Sequence, residues 1–258
     1  MKKLSTVLWC GIGGLVVMFM LSPLIMVVFF SFGQNPHATL PIGGFTLDWY
    51  RVLFKNPEFW RALKNSLVVT LSVGLISTII GTLAAFGIAK FRNIVANGVI
   101  TILTLPVMMP PLVLALALAT SYSSIGITMG LHTVIPSHLV FTQPFVILII
   151  YAQMANFDYA VIDSARDLGA STIKTFFTVV LPIIQPTLIG AALVAMAVSL
   201  DDFIITFFTI GGGMTLPTLV WGMLRTSLDP SINALGTLII TATITSSIIA
   251  FRITRYRG

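Results

Sequence analysis

Six apolar runs of about 20 residues each leave this sequence little choice of fold. They lie near Val7 to Ser31, Ser66 to Ala89, Val95 to Ser121, Thr133 to Met154, Ile183 to Ile205 and Ile232 to Phe251. At ~1.5 Å of rise per residue, a helix of that length crosses a ~30 Å hydrocarbon core. No long linker, charge run or low-complexity tract separates the runs. The expectation is an all-α membrane protein with six transmembrane helices in one domain, residues 1–258. A content of 57% hydrophobic and 9% charged residues fits that class and no soluble one.

The first run follows Lys2 and Lys3 but is longer than the apolar core of a secretory signal. It also lacks a small-x-small cleavage pattern, so it reads as a retained first helix. Cys10 is the only cysteine, which rules out an internal disulfide. Trp9 before it argues against a lipoprotein acylation box, leaving Cys10 a lipid-facing or packing residue. With both termini inside, Lys2, Lys3, Lys90, Arg92, Arg166, Lys174, Arg252, Arg255 and Arg257 face the cytoplasm. Arg51, Lys55, Arg61, Lys64 and Arg225 then lie outside, nine basic residues against five. That bias predicts N-in and C-in. The formal charge of +6 is accounted for by topology and anionic lipid headgroups, without nucleic acid.

The longest outer connection, Phe32 to Asn65, is expected to carry a surface helix over Leu47 to Phe54. Its aromatic residues belong either to the interfacial belt or to the outer mouth of a pathway. Ser77, Gly81 and Ala85 recur every four residues and should clear one face of the second span for close helix packing. Pro106, Pro110 and Pro111 should kink or break the third span, and a broken helix at membrane depth borders a cavity or packs against neighbours.

Adjacent carboxylates at Asp201 and Asp202 are the most unusual polar feature of the apolar regions. Charges there call for a water-filled pathway, a cation site or a partner contact, the bland alternative being a helix cap. Neighbouring helix residues point in different directions, so at most one of the two should face a cavity. Arg225 and Asp229 read as solvated charges. Gly211-Gly212-Gly213 reads as an outer turn, since no Gly-Lys-Ser/Thr follows it. His37, His132 and His138 lack metal-ligand spacing and read as interfacial or packing residues. No nucleophile elbow or nucleotide-binding motif occurs, so neither catalysis nor a cofactor is expected on this chain.

Between two spans lies a polar stretch, Asp163-Ser-Ala-Arg-Asp-Leu-Gly169, followed by Val179-Val-Leu-Pro182. It resembles the EAA loop of ATP-binding-cassette importer permeases: Glu-Ala-Ala, three residues, Gly, nine residues, then Ile-x-Leu-Pro. Asp163, Ser164, Ala165, Gly169, Val179, Leu181 and Pro182 keep the complete spacing. Asp163 stands for the family's Glu and Ser164 for its first Ala, keeping charge and small size. Small residues admit another protein's surface, Gly169 can end or bend the helix, and Pro182 suits the first turn of the next one. The resemblance implies a type I importer permease fold with the docking loop at about 158–182. It also implies a second homologous permease subunit, two ATP-binding subunits that hold ATP and Mg, and an extracytoplasmic solute-binding protein. The setting is the inner or plasma membrane of a prokaryote.

Ser199-Leu-Asp-Asp, Thr215-Leu-Pro217, Pro230-Ser-Ile-Asn-Ala-Leu-Gly and Trp49-Tyr50 look like the spermidine/putrescine permeases. By that resemblance Asp201, Asp202, Ser199 and Trp49 line the substrate pathway, and an ammonium group suits carboxylates and an aromatic face. One departure is Pro111, where several polyamine permeases carry an acidic residue. Alternatives are an importer for another solute, such as an iron chelate or opine, or an ATP-independent transporter or channel. The implied mechanism is alternating access, driven when the ATPases pull an Asp163 to Thr172 helix inward.

Overall fold

The computed structural model describes residues 2–35, 39–91, 93–226 and 230–255, with side chains at 9–35, 39–91, 94–225 and 230–245. His37 and Asp229 fall outside the described residues, as do the side chains of Lys2, Lys3, Arg92, Arg252 and Arg255. The described chain is helical: α1 (Lys2–Phe30), α2 (Asp48–Lys55), α3 (Pro57–Ile88), α4 (Asn93–Met108), α5 (Pro111–Ser124), α6 (Leu131–Ala155), α7 (Ala160–Asp167), α8 (Thr172–Thr175), a π-helical turn at Phe176–Val180, α9 (Leu181–Asp201), α10 (Ile204–Thr209), α11 (Leu216–Thr226) and α12 (Ser231–Arg255). It packs as two compact units, one formed by residues up to Trp60 with Leu219–Ile249, the other by Arg61–Thr218 with the chain end from Ala250.

Four helices are long and apolar enough to cross a membrane: Trp9–Phe30, Pro57–Ile88, Leu131–Ala155 and Thr172–Asp201. Ile94–Met108 and Pro111–Ser124 form a bent pair with the shape of a broken span or a re-entrant loop, and Ser231–Thr245 is a shorter apolar helix. Their outward faces carry large apolar side chains, Phe19 at 80% exposure and Ile94 at 81% among them. A water-facing surface rarely shows that much contiguous apolar area, whereas hydrocarbon matches it.

The proline expectation for the third span holds. The two halves meet at 94°. Pro110 ends one helix and starts the other, its carbonyl accepting from the Val113 and Leu114 N–H groups at 2.9 and 3.2 Å. Pro111 at the first turn of α5 has no N–H to leave unpaired.

The small-residue stripe of α3 also does what its spacing predicts, and the helix it meets is α6. A Cβ on Gly81 would lie 2.5 Å from Val146 Cγ1. Ser77 donates to Gln143 Oε1 at 2.7 Å, and Ala85 is fully buried in a cluster with Val146, Ile150 and Met154. This cluster, extended by Ile184, Ala191 and Ala195 of α9, is the main core of the second unit.

The fifth run differs from expectation at both ends. The expectation is Ile183 to Ile205 with Pro182 in the first turn; Pro182 does stand in the first turn of α9, but α8 and the π-helical turn run into α9 without a break, so the helical span extends from Thr172 to Asp201. Ser171 caps it, its side chain accepting from the Lys174 N–H. Pro182 has no N–H to give, and the turn before it widens so that Leu181 N–H reaches Phe176 O. At the other end the backbone leaves the helix at Asp202 (φ −70°, ψ 119°), before Ile205 is reached.

In the first unit the surface helix appears as α2, close to its expected range. Thr46 donates to Asp48 Oδ2 at 2.8 Å, and that hydrogen bond holds the Asp48 carboxyl below its usual range. Trp49 Nε1 donates to Gly33 O at 2.7 Å, and Tyr50 OH lies 2.8 Å from the buried Ser31 Oγ. These bonds fold the connection after α1 back on itself.

Candidate functional site

The second unit contains a polar cluster built around the break between α9 and α10. Once the chain turns out of the helix at Asp202, the first N–H groups of α10 need acceptors. Asp202 supplies one: its Oδ2 accepts from Thr206 N–H at 2.9 Å, and the Thr206 hydroxyl lies 3.3 Å from the same oxygen. His138 of α6 completes the cluster. Its Nδ1 is 2.8 Å from Ser199 Oγ, its Nε2 is 2.8 Å from Thr206 Oγ1, and Nε2 lies 3.3 Å from Asp202 Oδ2. His138 is 2% exposed and Ser199 4%.

Serine, histidine and aspartate in that order invite comparison with a nucleophilic triad. The geometry argues against it, because the Ser199 hydroxyl is buried in helix packing and Nε2 is shared between a threonine and the carboxylate. The cluster holds helices together. The cleft beside it is also lined by Ser66, Thr70 and Thr215. Thr70 Oγ1 is buried there without a hydrogen-bond partner.

The expected pathway residues are therefore not alike. Ser199 and Asp202 are brought together through His138, whereas Asp201, at the last position of α9, is exposed. Trp49 belongs to the first unit, where its indole N–H is already bonded. Of the residues read as packing or interfacial, His132 bonds Thr128 O at 2.8 Å near the surface. Sequence reasoning missed the part played by His138. The signal was present: an ionisable side chain inside an apolar span is as unusual as the acidic pair.

The residues expected to dock the ATPase form a second feature. Asp158 Oδ1 accepts from the Ala160 N–H, the first of α7, at 3.0 Å. Asp163 and Ser164 are exposed on this helix and Ala165 is half-buried. Gly169 ends it with φ +82°, Gly169 N–H bonding Arg166 O and Ala170 N–H bonding Ala165 O. That pair of bonds is a Schellman stop, which needs a left-handed residue. The helix expected from Asp163 to Thr172 thus ends at Asp167, and a separate helix starts at Thr172. Ile162 and Phe176 pack against the main core, while Leu168, Ile173 and Phe177 are 89%, 72% and 60% exposed. Val179 and Leu181 are half-buried and Pro182 is exposed.

A sequence model for the family described as "Binding-protein-dependent transport system inner membrane component" matches residues 77–257. The chain belongs to this family. It is a permease subunit of an ATP-binding-cassette importer and an inner membrane component of a bacterial transport system. The permease is 32% identical over 232 residues to the putrescine transport system permease protein PotI of Escherichia coli K12, covering 87% of this chain and 82% of PotI. It is 28% identical over 234 residues to the spermidine/putrescine transport system permease protein PotC of Haemophilus influenzae, covering 90% and 91%. Its fold is similar to a chain of a bacterial ABC transporter involved in the import of the acidic polysaccharide alginate, with TM-score 0.74, 19% identity and coverage of 98% and 96%. A chain of the MetNI methionine ABC transporter in an inward-facing conformation matches with TM-score 0.65 at 18% identity, covering 79% and 99%.

Proposed function

We propose that this permease moves cationic amines of the putrescine and spermidine class into the cytoplasm by alternating access. The observation that carries the reading is an exposed carboxylate, Asp201, at a helix break at the end of an apolar span. A charge in such a place is unfavourable unless it serves a pathway, and an ammonium group is the complementary cargo. The names of the PotI and PotC relatives support the same substrate class. Among the expected pathway residues, Asp201 is the carboxylate open to the pathway, whereas Asp202 and Ser199 hold the helix break next to it.

In this reading the chain is a single permease domain of six spans with both termini in the cytoplasm. A homologous second permease completes the pathway, two ATP-binding subunits supply ATP hydrolysis, and an extracytoplasmic solute-binding protein delivers substrate. Asp163, Ser164, Ala165 and Gly169, with Val179, Leu181 and Pro182 behind them, form the ATPase docking surface. The apolar side chains of Leu168 and Ile173 stand out from it. Because α7 is held to the core through Ile162, movement of a docked ATPase is passed to α6 and α9 rather than absorbed by a loose loop.

The test is uptake of labelled putrescine and spermidine into proteoliposomes containing this chain with its partner subunits. Uptake should require ATP, the ATPase and the binding protein. ATP-dependent uptake of a different solute alone would discard the amine assignment, and uptake without the ATPase would discard the importer mechanism.

A further inference from the structure

We infer that His138 divides the acidic pair into two roles: it is a positioning residue that commits Asp202 to holding the α9–α10 break, and so presents Asp201 alone to the substrate. The amine as ligand of Asp201 rests on the proposed function; the division between the two carboxylates does not.

The hydrogen-bond accounting carries the inference. With the proton on Nε2, His138 donates toward Thr206 Oγ1 and Asp202 Oδ2, while Nδ1 accepts from the Ser199 hydroxyl. Asp202 Oδ2 also accepts the Thr206 N–H, and the Thr206 hydroxyl is 3.1 Å from Asp202 O. One imidazole tautomer thus pairs both ring nitrogens, the Ser199 and Thr206 hydroxyls and Asp202 Oδ2. A substrate ammonium reaching Asp202 Oδ2 would have to displace those donors, and with them the acceptor that caps α10. Asp201 is one residue earlier, still helical and exposed, and the direction of its side chain is set by where the helix stops. Ser199 on α9, Thr206 on α10 and the ring on α6 fix that stopping point from both sides.

Two consequences separate this arrangement from a pair of equivalent substrate carboxylates. Asp202→Asn keeps an acceptor for the cap but loses the charge; Asp201→Asn loses only charge. In the assembled transporter, Asp202→Asn should keep the KM for putrescine within about twofold, and Asp201→Asn should raise it about tenfold or more, the usual loss for a charge-assisted contact. His138→Ala should lower the maximal rate at both positions' native charge, and His138→Gln, which restores a donor near Nε2, should recover part of it.

Thiol labelling gives a readout independent of the substrate. Cys10 is the only cysteine and is exposed, so Cys10→Ser provides the background. In it, Asp201→Cys should react with a cationic methanethiosulfonate about tenfold or more faster than Asp202→Cys, and adding His138→Ala should speed labelling at 202. Equal labelling at the two positions, or an Asp202→Asn KM raised as far as that of Asp201→Asn, overturns the division. If the complex transports neither amine, the amine reading fails and the labelling ratio alone decides the division.

Discussion

The Asn65 side chain and the Met214 carbonyl are hydrogen-bonded at 2.8 Å across 149 positions of chain. Beside them the Leu216 N–H donates to Ser66 Oγ at 2.8 Å, and Ser66 is 3% exposed. Two neighbouring residues of α3 thereby anchor the segment that enters α11, whose first N–H groups have no partner within the helix.

Ser66→Ala should destabilise the permease by about 1–3 kcal/mol, because it leaves a buried N–H unpaired. Asn65→Ala should be milder, since the Asn65 side chain is only partly buried. Thermal unfolding of the detergent-solubilised protein checks both; a Ser66→Ala midpoint equal to wild type would remove the anchor.

Gly81 and Gly74 both sit where a Cβ would come within 2.5 Å of a neighbour, but the neighbours differ. Gly81 faces Val146, β-branched and fully buried, whereas Gly74 faces the flexible Met196 side chain. Gly81→Ala should therefore cost about 1–3 kcal/mol and Gly74→Ala less. The same thermal measurement ranks them, and the reverse order would mean that α3 and α6 can separate without penalty.

Gly169 has φ +82° with open space around its Cα. Gly169→Ala should cost only about 1 kcal/mol of backbone strain and leave ATPase binding largely intact. Gly169→Asp should abolish copurification of the ATPase while the permease still inserts and assembles with its partner. Retained ATPase in the Asp variant would rule out docking at this turn.

Leu168 and Ile173 are more exposed than residues of their size usually are. Replacing each with Asn should weaken ATPase copurification and ATP-dependent uptake while the thermal midpoint of the isolated permease stays unchanged. A fall in the midpoint instead would mark them as part of the permease's own packing.

Much of this protein is legible from local pattern. The paired prolines at Pro110 and Pro111 announce the bend because a missing N–H and a ring clash act within one helical turn. Gly169 marks a helix end because only a left-handed residue closes the Schellman bonds. The Ser77, Gly81, Ala85 stripe announces close packing, though not that α6 is the partner. Other features were hidden for equally physical reasons. Pro182 suggests a helix start, but the π-turn before it absorbs the missing hydrogen bond and the helix runs through. Asp201 and Asp202 look equivalent in sequence, and nothing local separates a capping carboxylate from a free one.

The sequence by itself determined the membrane class, the run of apolar helices, the importer family and the position of the helix end at Gly169. Each depends on composition, helical period or a spacing within a few turns. Only the tertiary structure decided where α9 stops, which carboxylate is engaged and that His138 engages it. Those outcomes depend on hydrogen bonds between residues such as His138 and Ser199, which are 61 positions apart and meet only when α6 and α9 pack.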